Sequence, residues 1–300
     1  MKNGQIPTRP LLRWHGGKWR LAPWVISHFP AHRLYVEPFG GAGSVLFRKP
    51  RAYAEVYNDM DDRVVSLFRV LRDDAKAMRL VAALRMTPFS RIEFDEAADL
   101  AAADCDDVEL ARRLIIRAFM GFGSNAQNGR PTGFRANSNR SNTTPAHDWA
   151  NYPDAMPALI ERLRGVVIEH RDAIAVMAAH DGEATLHYAD PPYLPETRSK
   201  HNLKMYRHDM LPADHKRLLA FLRTVEGMVV LSGYPSAMYD AELSDWRRVT
   251  CAALADGARA RTEVLWLNPA CATALESARA IVSGSPDDCK LPLFRNAVNS

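Results

Sequence analysis

The feature that most constrains the fold is an alternation of short, almost uninterrupted apolar segments with stretches of helical period. Seven segments rich in β-branched and aromatic residues read as strands: Arg33–Glu37, Tyr53–Tyr57, Gly165–Glu169, Thr185–Ala189, Met228–Ser232, Trp246–Cys251 and Glu263–Leu267. Several, such as LHYA and VVLS, leave no polar face, as strands buried on both sides do. Between them, Lys18–His28, Asp62–Arg72, Asp154–Arg164, Asp172–His180 and Pro212–Thr224 carry apolar residues at helical spacing. Strands without a wet face need cover on both sides, so the reading is an α/β sheet with helices on each face.

One interval breaks the alternation. Residues 62–157 hold helical patterns such as VELARRLIIRAFM and no convincing strand. A crossover between neighbouring strands needs far fewer residues, so this stretch reads as an inserted helical subdomain. The expected division is therefore residues 1–61 with 158–276 as the sheet domain, 62–157 as the insertion, and 277–300 as a loosely held tail.

Charge is unevenly spread. The chain of 300 residues has a net charge of +4, yet no acid occurs between Leu110 and His147. That stretch carries Arg112, Arg113, Arg117, Arg130, Arg135 and Arg140 among Asn and Ser side chains that include Asn125 and Asn128. Residues 1–36 also lack acids and hold Lys2, Arg9, Arg13, Lys18, Arg20 and Arg33. Two such stretches favour a polyanionic partner. Arg130 and Arg135, flanking a Gly/Pro turn, are the expected DNA contacts, whereas some of Arg112, Arg113 and Arg117 must face packing or solvent because they share a helix with Leu114, Ile115 and Ile116. No apolar run approaches the ~20 residues of a membrane span, and the start lacks a signal-peptide core. Cys105, Cys251, Cys271 and Cys289 are far apart, and no His/Cys spacing suits a metal, so a reduced, cytoplasmic setting without metal or membrane is expected.

Two motifs carry chemistry. The first strand runs into VEPFGGAGS, residues 36–44, where Gly40, Gly41 and Gly43 permit a tight turn and close approach of backbone N–H groups to a ligand. Asp59 ends the second strand, near the ~20-residue offset at which an acid accepts from ribose hydroxyls. GxxxxGK[ST] is absent, so this is not a P-loop, and the pair points to a nucleoside cofactor. The fourth strand ends in Asp190, Pro191, Pro192 and Tyr193. Two prolines fix φ and would hold a carboxylate, a carbonyl and an aromatic face in one rigid cluster. That cluster suits a planar base with an exocyclic amine: carboxylate and carbonyl accept from the amine while the ring stacks. Stacking needs the Tyr193 ring and not its hydroxyl.

RWHGGK (Arg13–Lys18), VEPFGGAG, the strand-end Asp59 and DPPY, in this order, resemble the Dam-type DNA adenine-N6 methyltransferases, over roughly residues 11–269. YRHDMLPADHKRLL and VVLSGYPSAMYD resemble a phage and prophage branch. The resemblance implies a Rossmann-like, seven-stranded S-adenosylmethionine-dependent methyltransferase sheet with an inserted helical DNA-recognition subdomain. It implies that Trp14 and Lys18 contact S-adenosylmethionine, that the turn with Glu37, Pro38 and Phe39 wraps the methionine portion, and that Asp59 holds the ribose. Asp172 resembles an acid near the cofactor adenine, and Asp190 would lie between cofactor and target amine. The implied partner is double-stranded DNA, its adenine flipped out of the duplex, with the enzyme a monomer or homodimer. Three alternatives stand beside this reading: cytosine-N4 methylation (where Ser more often replaces the Asp), adenine methylation in structured RNA, and a silent DNA-binding relative. The insertion resembles other members only in its Asn, Gly and Arg content, so the target sequence does not carry over.

Overall fold

The computed structural model describes residues 6–100, 104–122, 132–137, 143–198, 206–254 and 260–283. All seven expected segments are strands of one sheet: β1 (Leu34–Glu37), β2 (Ala54–Asn58), β3 (Val166–Glu169), β4 (Thr185–Ala189), β5 (Met228–Gly233), β6 (Arg247–Leu254) and β7 (Ala260–Leu267). The last two are longer than their apolar stretches because they pair with each other as an antiparallel ladder from Arg247↔Leu267 to Leu254↔Ala260. The order is β3-β2-β1-β4-β5-β7-β6, with β1 to β5 parallel and β7 antiparallel to both of its neighbours.

The helices among the described residues are α1 (Ala22–Ile26), α2 (Ser44–Arg48), α3 (Asp62–Arg72), α4 (Asp74–Met86), α5 (Arg91–Glu96), α6 (Asp107–Met120), α7 (Pro145–Ala150), α8 (Met156–Leu163), α9 (Ala173–Ala179), α10 (Pro212–Leu222), α11 (Ala237–Glu242) and α12 (Pro269–Ser283). They cover both faces, and the period of two along β5 shows it directly. Met228 and Val230 join the core made with α3, α6 and α8, whereas Val229 and Leu231 join Leu218, Leu219 and Leu222 of α10.

The apolar core does not divide at residue 62. Phe68 of α3 stacks on Tyr57 of β2 at 4.2 Å, and Val108, Leu114 and Ile115 of α6 belong to the same buried cluster. Two expectations need correction. The stretch 18–28 is helical only at α1, because Pro23 has no N–H to donate and fits only the first turn of a helix, so the helix starts at Ala22 and Trp19–Leu21 form a turn ahead of it. The final helix continues through Ser283, into the segment expected to be a tail: PACATALESARAIVS opens with Pro and is rich in Ala, and Cys271 is buried in the core.

What positions a site is the point where strand order reverses. The chain leaves β1 toward β2 and β3 on one side, then returns to β4 and β5 on the other. The crevice outside the carboxyl ends of β1 and β4 is where open α/β sheets bind ligands.

Candidate active site

A cleft of ≈ 290 Å³ opens at that reversal, close to the lower end of the ~300–1,000 Å³ usual for small-molecule sites. Trp14, Lys18, Glu37, Pro38, Phe39, Gly40, Gly41, Asp59, Asp172, Asp190, Pro191 and Pro192 all line it. Two of the expected residues lie outside its wall. Gly43 sits behind it as the N-cap of α2, and Tyr193 is half-buried beside it.

The glycine turn is built around the end of β2. Gly40 N–H donates to the Asn58 carbonyl at 2.8 Å, and a Cβ on Gly40 would fall 2.1 Å from the Tyr57 ring, so no side chain fits. Gly41 has φ +49°, where L-residues are strained. Its N–H donates to Asp59 Oδ2 at 2.7 Å, while Asp61 N–H donates to Oδ1 at 2.8 Å. Buried Asn58 donates Nδ2–H to the Pro38 carbonyl at 2.9 Å. Asp59 thus clamps the turn as well as facing the cleft; burial raises its pKa, against the two N–H donors. Its lone pairs still have room for further donors.

At the end of β4, Asp190 meets Lys18. Lys18 Nζ lies 2.9 Å from Asp190 Oδ2 and donates to the Gly16 carbonyl at 2.9 Å. Burial works against the Lys18 charge, but the Asp190 and Glu263 carboxylates outweigh it and hold its pKa above the ordinary value. The other oxygen, Asp190 Oδ1, is buried with no hydrogen-bond partner among the described residues. An open acceptor enclosed in protein is costly unless something donates to it.

Glu37, 2% exposed, accepts the Tyr35 hydroxyl at 2.7 Å. Burial, aided by the nearby Asp190 charge and only partly opposed by Tyr35, pushes its pKa up to about 8. Asp172 caps α9, accepting from Ala175 N–H at 3.1 Å, and pairs with Arg217 at 2.8 Å; both line the cleft.

The Tyr193 hydroxyl donates to Glu263 Oε2 at 2.7 Å and is 2.9 Å from Ser232 Oγ, so it is engaged within the protein. Lys18 Nζ lies 4.7 Å from the ring centroid, and Tyr234 meets the ring edge-on at 4.6 Å.

Of the expected DNA contacts, Arg130, Asn125 and Asn128 lie outside the described residues. Arg135 is half-buried away from the cleft, its N–H donating to the Met120 carbonyl at 2.8 Å beside the Gly121↔Phe134 bridge. The three arginines of α6 are used inside the protein. Arg112 pairs with Glu109 at 2.6 Å and Glu93 at 2.8 Å, Arg113 pairs with Glu109 at 3.0 Å, and Arg117 lies 3.8 Å over the Phe94 ring.

Tyr206, Arg207, His208, Asp209 and Met210, which open the YRHDMLPADHKRLL motif but had no expected site role, form one wall of the cleft. Arg198 braces that wall through Asp209 at 2.6 Å while donating to the Tyr193 carbonyl. Sequence reasoning missed Glu263 and Ser232. An acid inside the apolar run TEVLWL was the available signal for Glu263.

The family model for D12 class N6 adenine-specific DNA methyltransferases matches residues 14–245. The chain is 26% identical over 210 residues to the type II methyltransferase M1.LlaDCHI of Lactococcus lactis subsp. cremoris, covering 65% of this chain and 69% of the relative. It is 22% identical over 246 residues to the type II methyltransferase M.MjaIII of Methanocaldococcus jannaschii, covering 74% and 81%. A shorter match, 34% identical over 65 residues, links it to a DNA adenine methylase of Serratia marcescens, covering 22% of this chain and 24% of that one. With the seven-stranded sheet, the glycine turn and DPPY in place, the chain belongs to the D12 class of N6 adenine-specific DNA methyltransferases.

Proposed function

We propose that the cleft holds S-adenosylmethionine and that the methyl acceptor is an adenine flipped out of double-stranded DNA. The observation that carries this reading is the buried, unpartnered Asp190 Oδ1 beside an Oδ2 already held by Lys18. A cofactor of this kind fits the residues present: a side-chain-free glycine turn, an aromatic wall at Trp14, and acids at Asp59 and Asp172. Asp59 would accept from the ribose, the turn with Glu37, Pro38 and Phe39 would enclose the methionine portion, and Asp172 would face the adenine. When bound, the cofactor supplies an electrophilic methyl group on a sulfonium.

The protein's part is positioning. An exocyclic amine is a poor nucleophile because its lone pair is delocalised into the ring. Asp190 Oδ1 and the Pro191 carbonyl accept its two N–H bonds and favour a tetrahedral nitrogen with its lone pair free. Pro191 and Pro192 fix the spacing of the two acceptors, and Tyr193 offers its ring to the base. Holding reactants in near-attack geometry accounts for most of the gain, with preorganised dipoles adding to it. The product ammonium is acidic enough to pass its proton to water or Asp190, so no separate base is needed. Extrusion of the adenine from the stack is implied, since the acceptor pair is buried.

Residues 62–157 are the proposed target-recognition subdomain, set on the sheet domain of 1–61 and 158–276, with Arg130, Arg135, Asn125 and Asn128 as proposed DNA contacts. The test is transfer of a labelled methyl from S-adenosylmethionine to duplex DNA, single-stranded DNA and structured RNA, followed by nucleoside analysis. N6-methyladenine from duplex DNA is the expected product. Label in N4-methylcytosine, or in RNA alone, overturns the reading.

A further inference from the structure

Glu263 is the one acid of β7, directly before its apolar half Val264–Leu267, and is 7% exposed. Burying a carboxylate there is expensive unless its hydrogen bonds serve a purpose. Its Oε2 accepts from the Tyr193 hydroxyl at 2.7 Å, and Ser232 Oγ, on neighbouring β5, stands 2.9 Å from that same hydroxyl. The other end of Tyr193 is held too: its backbone follows two prolines, and Arg198 Nε donates to its carbonyl at 2.6 Å. The ring is therefore pinned at both ends, with Tyr234 against its edge and Lys18 over it. A phenylalanine would stack as well as tyrosine, so a buried carboxylate spent on this hydroxyl calls for a reason other than ring chemistry.

We propose that Glu263 is a positioning residue for methyl transfer: through the Tyr193 hydroxyl it locks the ring in the pose that receives the target adenine. This rests on the reading that Tyr193 stacks on that base. The pose matters because an ångström-scale displacement of a reacting group costs far more rate than binding. Glu263→Gln keeps an oxygen that accepts the hydroxyl, whereas Glu263→Ala does not.

The experiment measures kcat and KM for methyl transfer to unmethylated bacterial genomic DNA, with a melting temperature for each variant. Expected are kcat losses of at least tenfold for Glu263→Ala and Tyr193→Phe with a smaller change in KM for DNA. Glu263→Gln should keep at least a third of the wild-type kcat. The Glu263→Ala/Tyr193→Phe double variant should lose no more than the worse single one, since both cut the same contact. Wild-type kcat in Glu263→Ala with only a lower melting temperature, or losses that multiply in the double variant, overturns the proposal. If Glu263→Ala does not fold, Tyr193→Phe decides by itself: an unchanged kcat overturns it. Tyr193→Ala separates the two layers. A wild-type rate there breaks the stacking reading, while a severe loss beside silent Tyr193→Phe and Glu263→Ala breaks only the role of Glu263.

Discussion

Two buried charge clusters occupy opposite ends of the same sheet, and they are finished to different degrees. At the amino end of β2, Glu55 accepts Lys49 Nζ at 2.6 Å, Arg162 at 2.6 and 2.9 Å, and the Ala52 N–H at 3.1 Å. Its pKa is lowered: burial acts to raise it, but Arg162 and Lys49 prevail, and of the Arg162 donors only Nε is among the buried atoms without a partner. At the other end, Glu37 at the carboxyl end of β1 and Glu263 on β7 beside the carboxyl end of β5 have their pKa values pushed up by burial, and Asp190, just past β4, keeps an oxygen open. The first cluster spends its charges on holding β2, α8 and the Lys49 turn together. The second leaves capacity unspent, as a site must if a ligand is to complete it.

The contrast breaks most visibly at Glu55. Glu55→Ala strands two buried cations, and stability should fall by about 3–5 kcal/mol, while kcat of the folded fraction stays near wild type. Urea unfolding at low temperature checks it, and a loss below ~1 kcal/mol would remove the distinction between the two ends. Next in size is Asp59→Ala, with S-adenosylmethionine binding weakened by about 1.5–3 kcal/mol, the scale of a hydrogen bond to a charged group. Calorimetry with the cofactor alone reads this, and unchanged affinity sinks the ribose assignment. Because Asp59 also clamps Gly41 and Asp61, the melting temperature should fall too.

Glu37 sharpens the comparison through pH. Its folded pKa of about 8 lies above the ~4.3 of an unfolded glutamate. The folded state therefore keeps a proton that the unfolded chain releases, and wild-type stability from this group is lost as pH rises from ~4.3 through 8. Glu37→Gln, which still accepts the Tyr35 hydroxyl, should match wild type near pH 4–5 and gain on it as pH rises toward 8, by up to about 1.4 kcal/mol per pH unit. Melting curves across that range decide, and a difference that is flat or shrinks with pH contradicts it. The smallest effect is expected at Arg135. Arg135→Ala should lower the slope of log K against log salt by about one on cognate and random duplexes alike. An identical slope moves DNA contact elsewhere, first to Arg198–Arg207.

How much of this was legible in the sequence follows from how local each cause is. Strands buried on both faces announce themselves by composition, which is why Thr185–Ala189 coincides with β4 and most others differ by a residue. The glycine turn and DPPY were legible because short-range geometry demands those residue types. The acid-free arginine stretch was a poorer guide, since Arg112 and Arg113 are paired with Glu109, the residue just before it, and Arg112 also with Glu93 of α5. The Tyr206–Met210 wall and the Tyr193–Glu263 bond were not legible, because they join residues brought together only by the sheet's reversal and by the antiparallel β5–β7 pair.

The central claim is that the open Asp190 oxygen is the acceptor for the adenine amine. Asp190→Asn tests it most directly, because an amide keeps one acceptor oxygen but can turn a donor toward the amine. The measurement is single-turnover transfer of labelled methyl to unmethylated genomic DNA at saturating cofactor, with DNA and cofactor affinities determined in parallel. A rate at least tenfold below wild type, ~1.4 kcal/mol or more in the barrier, with both ligands still bound, is the predicted result. A variant that keeps more than about a tenth of the wild-type rate would contradict the role of Asp190.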